Sequence, residues 1–218
     1  MEQILGNSDI SDWIGNKNTS RGIIDIVTAE LINSTIGKKP NETFKKGDPL
    51  PPLWHWFAFP SATHLSQLGD DGHPKHVGYI PPQNLTRRMW ASGSLTFHSD
   101  LKIGEEIIKD TTLLDIKKKE SQSGEMVFIT YEHKLRNSNN IAITETQNIV
   151  YLQASESFNP PKKRDVPEPD YPKEKIAISN PLLFRFSALT YNAHRIHYDL
   201  KYAQEVEKYP HLIVHGPL

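Results

Sequence analysis

The sequence predicts an α+β fold, an antiparallel sheet covered by a helix, and three stretches carry that prediction. In GEMVFITYEHKLRN, residues Val127, Ile129, Tyr131, His133 and Leu135 alternate onto one face, the period of a half-buried strand. Asn137-Ser138-Asn139-Asn140 then supplies a turn, and IAITETQNIVYL returns with β-branched residues throughout. Upstream, Asp25 to Ile36 reads as an amphipathic helix able to cover such a sheet.

Each element has its own signal. In the first helix Asp25 is placed to cap, Val27, Leu31 and Ile32 fall near one face, and Gly37 follows as a stop. The stretch DPLPPLWHWFAFP sets two tryptophans and two phenylalanines among Pro49, Pro51 and Pro52, which forbid a regular helix, so an extended aromatic segment is expected. Residues Ser61 to Gln83, rich in Gly, Pro, His and Asp, read as loop. Between Ser94 and Leu152, SLTFH, the run from Ile107 to Ile116 and the hairpin give a sheet of at least four strands. Glu156 to Lys175 holds five prolines and many charges and reads as a stiff linker. Two units follow from this, residues 1–155 and 176–218. The second is too small to build a core alone and ends on a helix-start signal, so it is expected to be incomplete in this chain.

Composition narrows the function classes. Hydrophobic residues make up 37% and charged residues 23%, the balance of a globular protein. A net charge of -1 gives no basic face for nucleic acid, and no apolar run approaches the ~20 residues of a membrane span. Without cysteine there is neither a disulfide framework nor a thiolate metal site. The start, MEQILGNSDI, lacks the basic and apolar regions of a secretion signal, which makes the cytoplasm the expected compartment, with the mitochondrial matrix as the other.

The segment LLFRFSALTYNAHRIHYD carries the densest chemistry, placing Asn192, His194, His197 and Asp199 close together before His215-Gly216-Pro217. Adding water across a conjugated thioester needs a group that moves a proton near neutral pH, and imidazole does this best. It needs a second group to orient the water and backbone N–H groups to hold the thioester oxygen as it becomes enolate-like. His197, Asn192 and the Gly216 amide are candidates for these roles in that order, a side chain at 216 being an obstacle to the substrate carbonyl.

The strings ALTYNAHRIHYD and EKYPHLIVHGPL resemble the hydratase motif of MaoC-type hot-dog enzymes, the R-specific enoyl-CoA hydratases and 3-hydroxyacyl-thioester dehydratases. That motif runs Asp-x-Asn-Pro-hydrophobic-His, with a later His-Gly pair opening the central helix. PPLWHWFAF, GDDGHP, YIPPQNLTRRMWASG and VFITYEHK resemble the N-terminal half of the branch with two hot-dog halves, that of mitochondrial-type 3-hydroxyacyl-thioester dehydratase and mesaconyl-CoA hydratase. The resemblance implies a double hot-dog with a non-catalytic N-terminal unit that accommodates substrate and a catalytic C-terminal unit. It places the catalytic His on His197 and the oxyanion-hole Gly on Gly216, with Asn192 at the usual Asp position and His194 at the usual Asn position. An amide cannot take or give a proton as a carboxylate does, so His197 is expected to shuttle the proton while Asn192 orients water, with His194 or Asp199 as the other candidates for the carboxylate's share. Trp54, Trp56, Arg87, Arg88 and Trp90 are the candidate substrate contacts, the aromatics as an apolar slot and the arginines for CoA phosphates. The implied partners are an acyl-CoA or carrier-protein thioester and a second copy in a homodimer. No cofactor and no metal is called for.

Other readings compete. His194-x-x-His197-x-Asp199 also looks like a metal-binding string of a hydrolase, though on a strand only His197 and Asp199 share a face. A non-catalytic acyl-thioester-binding subunit is the third class. Residue by residue, Asp199 is a natural helix cap for LKYAQEVEKY, the Trp54 cluster is a natural core, and His55, His64, His98 and His133 are natural hydrogen-bonded or solvated residues.

Overall fold

A computed structural model of the chain describes residues 10–75, 85, 87–121, 124–138, 140–153, 157, 158, 160 and 175–218. The expected linker lies outside the described residues over most of its length, as does the loop at 76–83.

Five strands form one antiparallel sheet: β1 (Lys17–Ile23), β2 (Arg87–Phe97), β3 (Glu106–Ser121), β4 (Gly124–Arg136) and β5 (Ile141–Leu152), in the order β1-β3-β4-β5-β2. The β4–β5 hairpin forms where the asparagine run predicts it, the Asn140 N–H donating to the Asn137 side chain at 3.0 Å. On β4, Val127, Ile129, Tyr131, His133 and Leu135 are all buried, as their alternation requires. β1 has no counterpart in the sequence reading. Its sequence, KNTSRGI, is polar because it is an edge strand paired only with β3.

Helix α1 (Ile26–Ile36) starts where predicted, with the Thr28 N–H donating to the Asp25 carboxylate at 2.7 Å. Its buried face is different from the one expected. Ala29, Ile32 and Asn33 are buried, whereas Val27 and Leu31 are more than half exposed. The sequence alone cannot choose between two apolar stripes on one helix; packing against Ile24, Ile103, Ile107, Leu135 and Ile143 selects the one through Ala29 and Ile32. The aromatic segment is corrected too. Trp54–Ala58 forms a 3₁₀ turn, opened by the Trp54 N–H donating to Pro51 O at 3.1 Å, which the prolines precede without interrupting.

One face of the sheet carries two apolar clusters. Leu135, Ala142 and Ile143 join α1 at one end, and Leu113, Val127, Ile129, Tyr131 and Ile149 pack at the other. Between them lies a polar rung, Thr111–His133–Glu145, in register across β3, β4 and β5. Thr111 Oγ1 and His133 Nδ1 share a hydrogen bond of 2.8 Å. Glu145 receives the Trp56 indole N–H at 3.1 Å and the Gln147 amide at 2.6 Å, and lies 3.6 Å from the buried His55 ring. This gives His133 the hydrogen-bonded, structural role expected of it, and sets the buried His55 ring beside the carboxylate.

Two outcomes follow from this rung. Glu145→Ala leaves the Trp56 and Gln147 donors without their acceptor and His55 without its neighbouring charge, at a cost of about 3 kcal/mol readable in urea unfolding. Burial, with the Lys109 charge, lowers His133 to about 4, while an unfolded histidine titrates near ~6.5. Across that window the unfolded chain holds the extra proton, so stability falls as pH drops from neutrality toward the lower value, by up to ~1.4 kcal/mol per pH unit for one proton. Urea midpoints measured at neutral and mildly acid pH test this; His133→Gln is expected to flatten the dependence.

Candidate active site

The second half of the site is built by a chain reversal. Helix α2 (Asn180–Thr190) is capped by Ser179 and carries Pro181 in its first turn. It buries Leu183 and Phe186, the latter ring lying edge-on to Phe57 at 5.2 Å within the same core as α1. Tyr191 ends the helix in a left-handed conformation, φ 52°, and the Asn192 N–H donates back to Ser187 O at 2.8 Å. A 3₁₀ turn, Arg195–His197, then leads into helix α3 (Leu200–Glu205). Asp199 caps α3 as expected, accepting from the Tyr202 N–H at 3.0 Å, while its other oxygen takes the Arg195 guanidinium at 2.7 Å. The chain returns so that the Ile213 N–H donates to Ile196 O at 2.9 Å.

This folding gathers four imidazoles. His194 and His197 lie 5.4 Å apart, ring centre to ring centre. His197 stacks on His215 at 3.7 Å. The His197 Nδ1–H donates to Ile213 O at 2.7 Å, which fixes the tautomer and leaves Nε2 as the basic nitrogen. His215 shares a 2.8 Å hydrogen bond between Nε2 and Ser187 Oγ. The fourth ring comes from the loop after the aromatic segment: His73 lies 4.1 Å from His194. Asp71 holds it, accepting from the His73 Nδ1–H and from the His73 backbone N–H, both at 2.9 Å.

Burial sets the electrostatics. It pushes His194 down to about 3, helped by the neighbouring His73 and His197, and His215 to about 3, helped by His197. It also lowers His197, against the opposing hydrogen bond to Ile213 O. For Asp71 burial acts upward, but the His73 hydrogen bonds and charge outweigh it and hold the carboxyl at about 2. The cluster therefore sets an ionised carboxylate, Asp71, beside three buried imidazoles, His194, His197 and His215, whose neutral form burial favours.

The loop that brings Asp71 and His73 is docked by backbone. The Arg195 N–H donates to Asp71 O at 2.9 Å, and the Arg195 guanidinium donates to Asp70 O at 2.9 Å. Gly72 has φ 89°, and a Cβ there would stand 1.8 Å from Ala193 O, so this position accepts glycine alone.

The residues singled out in the sequence divide. His194 and His197 are brought together. Asn192 borders them, its side-chain oxygen accepting the His194 N–H at 3.0 Å, so this oxygen shapes the turn. Gly216 meets the Trp90 indole, where an added Cβ would lie 2.8 Å from the ring; the missing side chain makes room for Trp90. Trp90 in turn sits edge-on to Trp56 at 6.3 Å, and Arg88 is exposed on β2, close enough to act on His194 by charge. Trp54 and Arg87 have structural partners. Trp54 is buried in the core against Phe44, and Arg87 donates to Glu207 at 2.8 Å while lying over the Tyr209 ring. The string His194, His197 and Asp199 does not converge, because Asp199 is occupied by its cap and by Arg195. Asp71, His73 and His194 do converge, their donor atoms all within 4.8 Å. In the sequence GDDGHP reads as loop and as part of the resemblance, with no catalytic role given to Asp71 or His73; a glycine-flanked acidic pair before His-Pro was the available signal.

Comparison with known proteins agrees with this architecture. The model of the hydroxyacyl-thioester dehydratase type 2 family matches residues 53–218. The mesaconyl-C(4)-CoA hydratase of Chloroflexus aurantiacus is 39% identical over 98% of this chain and 76% of its own length. The mitochondrial hydroxyacyl-thioester dehydratase type 2 of Schizosaccharomyces pombe is 29% identical over 78% of this chain, which spans 64% of that relative's length. The crystal structure of a MaoC-like dehydratase from Phytophthora capsici superposes with a TM-score of 0.59 at 14% identity, covering 96% of this chain and 73% of the other, and so shares its fold. With a family match over most of its length and a relative 39% identical across 98% of it, the chain belongs to the hydroxyacyl-thioester dehydratase type 2 family, on a MaoC-like hot-dog fold.

Proposed function

We propose that this protein adds water to an α,β-unsaturated acyl thioester, or removes it from the 3-hydroxyacyl thioester, with His197 as acid–base residue. The observation that carries the reading is the His197 ring itself. Its Nδ1–H is tied to Ile213 O, its Nε2 is the basic nitrogen, and burial among other rings keeps it neutral. A neutral imidazole of fixed tautomer is what proton abstraction from water requires. Asn192 turns the chain toward His197 and its amide group helps orient the water. Gly216, with Trp90 against it, borders the place of the thioester oxygen, and Trp56 and Trp90 form the apolar wall. Arg88 is the exposed cation for a phosphate of the handle.

The similarity to mesaconyl-C(4)-CoA hydratase favours a short CoA thioester over a long acyl-carrier chain. On this reading residues 1–155 accommodate the substrate and residues 176–218 carry His197 and Asn192. The exposed Met89, Trp90 and Phe97 on β2, an edge strand paired only with β5, support a homodimer. Among the described residues no helix is long and apolar enough to cross a membrane, in keeping with a place in the cytoplasm or mitochondrial matrix.

The test is loss of the conjugated-thioester absorbance on adding the full-length protein to a panel of enoyl-CoAs. His197→Ala is expected to lower kcat by ~10²–10⁴-fold. Retention of near-wild-type rates by that variant overturns the assignment. Asn192→Ala is expected to lower kcat while keeping the main ionisation; Asn192→Asp keeps substantial activity and adds a second titrating group coupled to His197. The base form of His197 is the active one and its pKa is lowered, so kcat/KM is expected to hold through neutrality and fall only at pH below the ordinary histidine range. A profile that falls at pH 7 contradicts this. Thioester binding without turnover would favour the non-catalytic subunit.

A further inference from the structure

We infer that His73, oriented by Asp71, is a second acid–base residue of this site, supplying through an Asp–His pair the carboxylate that Asn192 cannot provide. The inference rests on the proposed hydration reaction and deepens it. Three observations carry it. The first is the two-point grip of Asp71 on His73: side-chain Nδ1–H and backbone N–H both reach the carboxylate at 2.9 Å. This fixes the ring and its tautomer, and among the described residues Nε2 takes no hydrogen bond. The second is position. His73 lies 4.1 Å from His194, which lies 5.4 Å from His197, so one chain of imidazoles runs from the Asp71 carboxylate to the candidate base. The third is the docking of the loop at Gly72 and Arg195, which holds the pair against the turn that carries Asn192. Arg195 has no part in titration here, since its guanidinium is bound to Asp199 and Asp70 O.

The chemistry balances with two imidazoles. His197 takes a proton from water as the water oxygen bonds to the β-carbon. The electron pair of the double bond moves to the α-carbon and thioester carbonyl. The His73 imidazolium, stabilised by Asp71, gives its proton to the α-carbon. His197 then holds one proton too many and His73 one too few, and transfer through His194 between them restores the site. A single carboxylate on the motif turn would do the work of His73. Here the carboxylate stands one residue further away, behind an imidazole. Besides Asp71, His194 and His197 on the motif turn interact with this ring by charge, while Arg88 on β2 acts on His194 and Tyr202 on α3 interacts with Asp71.

The experiment compares His73→Ala, His73→Gln and Asp71→Asn with wild type and His197→Ala, using the full-length protein and the same enoyl-CoA assay. Both His73 variants are expected to lower kcat by ~10²-fold or more with KM little changed. Asp71→Asn is expected to lower kcat less and to move one limb of the kcat–pH profile, a shift that a merely structural role would not produce. If His73→Ala does not fold, as judged by circular dichroism, the isosteric His73→Gln and Asp71→Asn decide. Unchanged kcat in the His73 variants beside an inactive His197→Ala sinks this inference and leaves the proposed function standing. A rise in KM alone, or one equivalent of a transition metal lost on His73→Gln, also overturns it, making His73 a binding contact or a cation ligand. Absence of hydration by wild type overturns the proposed function, and this inference with it.

Discussion

At Gly72 and Ala193 two backbones approach more closely than any side chain permits, and the geometry of the site hangs on that contact. A Cβ at residue 72 would collide with a carbonyl oxygen, and φ there is one that only glycine adopts cheaply. The Arg195 N–H and guanidinium then clamp the same loop through Asp71 O and Asp70 O. The consequence is that two segments far apart in sequence present their histidines to one space. Neither would assemble the cluster alone: residues 192–199 bring His194 and His197, and the 70–73 loop brings His73 and the Asp71 carboxylate held beside them. The Asp199 carboxylate is turned away to cap α3 and hold Arg195.

The sheet has a buried polar rung of its own. The Thr111–His133–Glu145 rung divides the buried face into two apolar clusters and ties the 3₁₀ turn at Trp54–Ala58 to the sheet through Trp56 and His55. Trp56 therefore belongs to both systems, its indole N–H anchored to Glu145 and its ring against Trp90, which fills the space left by Gly216. A buried carboxylate satisfied by several donors is costly to disturb and gives the wall a single position. The position of the Trp56–Trp90 pair is thus set by the fold.

Local features were legible in the sequence and long-range ones were not. The β4 alternation, the asparagine turn, the Asp25 and Asp199 caps and the His194–His197 pair each depend on residues a few positions apart, and all appear where the pattern puts them. β1 escaped notice because an edge strand needs no apolar alternation. The exposed stripe of α1 through Val27 and Leu31 looked as good as the buried one, since only the sheet beneath decides between them. GDDGHP carries part of the resemblance but no site role for Asp71 and His73, because a carboxylate–imidazole pair gains meaning only from what lies opposite, and His194 stands opposite through the Gly72 contact. The same limit applies to Trp54 and Arg87, whose partners Phe44 and Glu207 removed them from the candidate binding surface.

The central claim is that this cluster of imidazoles and one carboxylate moves protons during water addition to a thioester that stays intact. Reaction of the full-length protein with an enoyl-CoA in oxygen-18 water, followed by mass spectrometry of the products, tests it most directly. The account predicts one heavy oxygen on the β-carbon of an intact 3-hydroxyacyl thioester. Heavy oxygen in a released carboxylic acid, with free thiol appearing in step, would contradict it and identify a hydrolase instead.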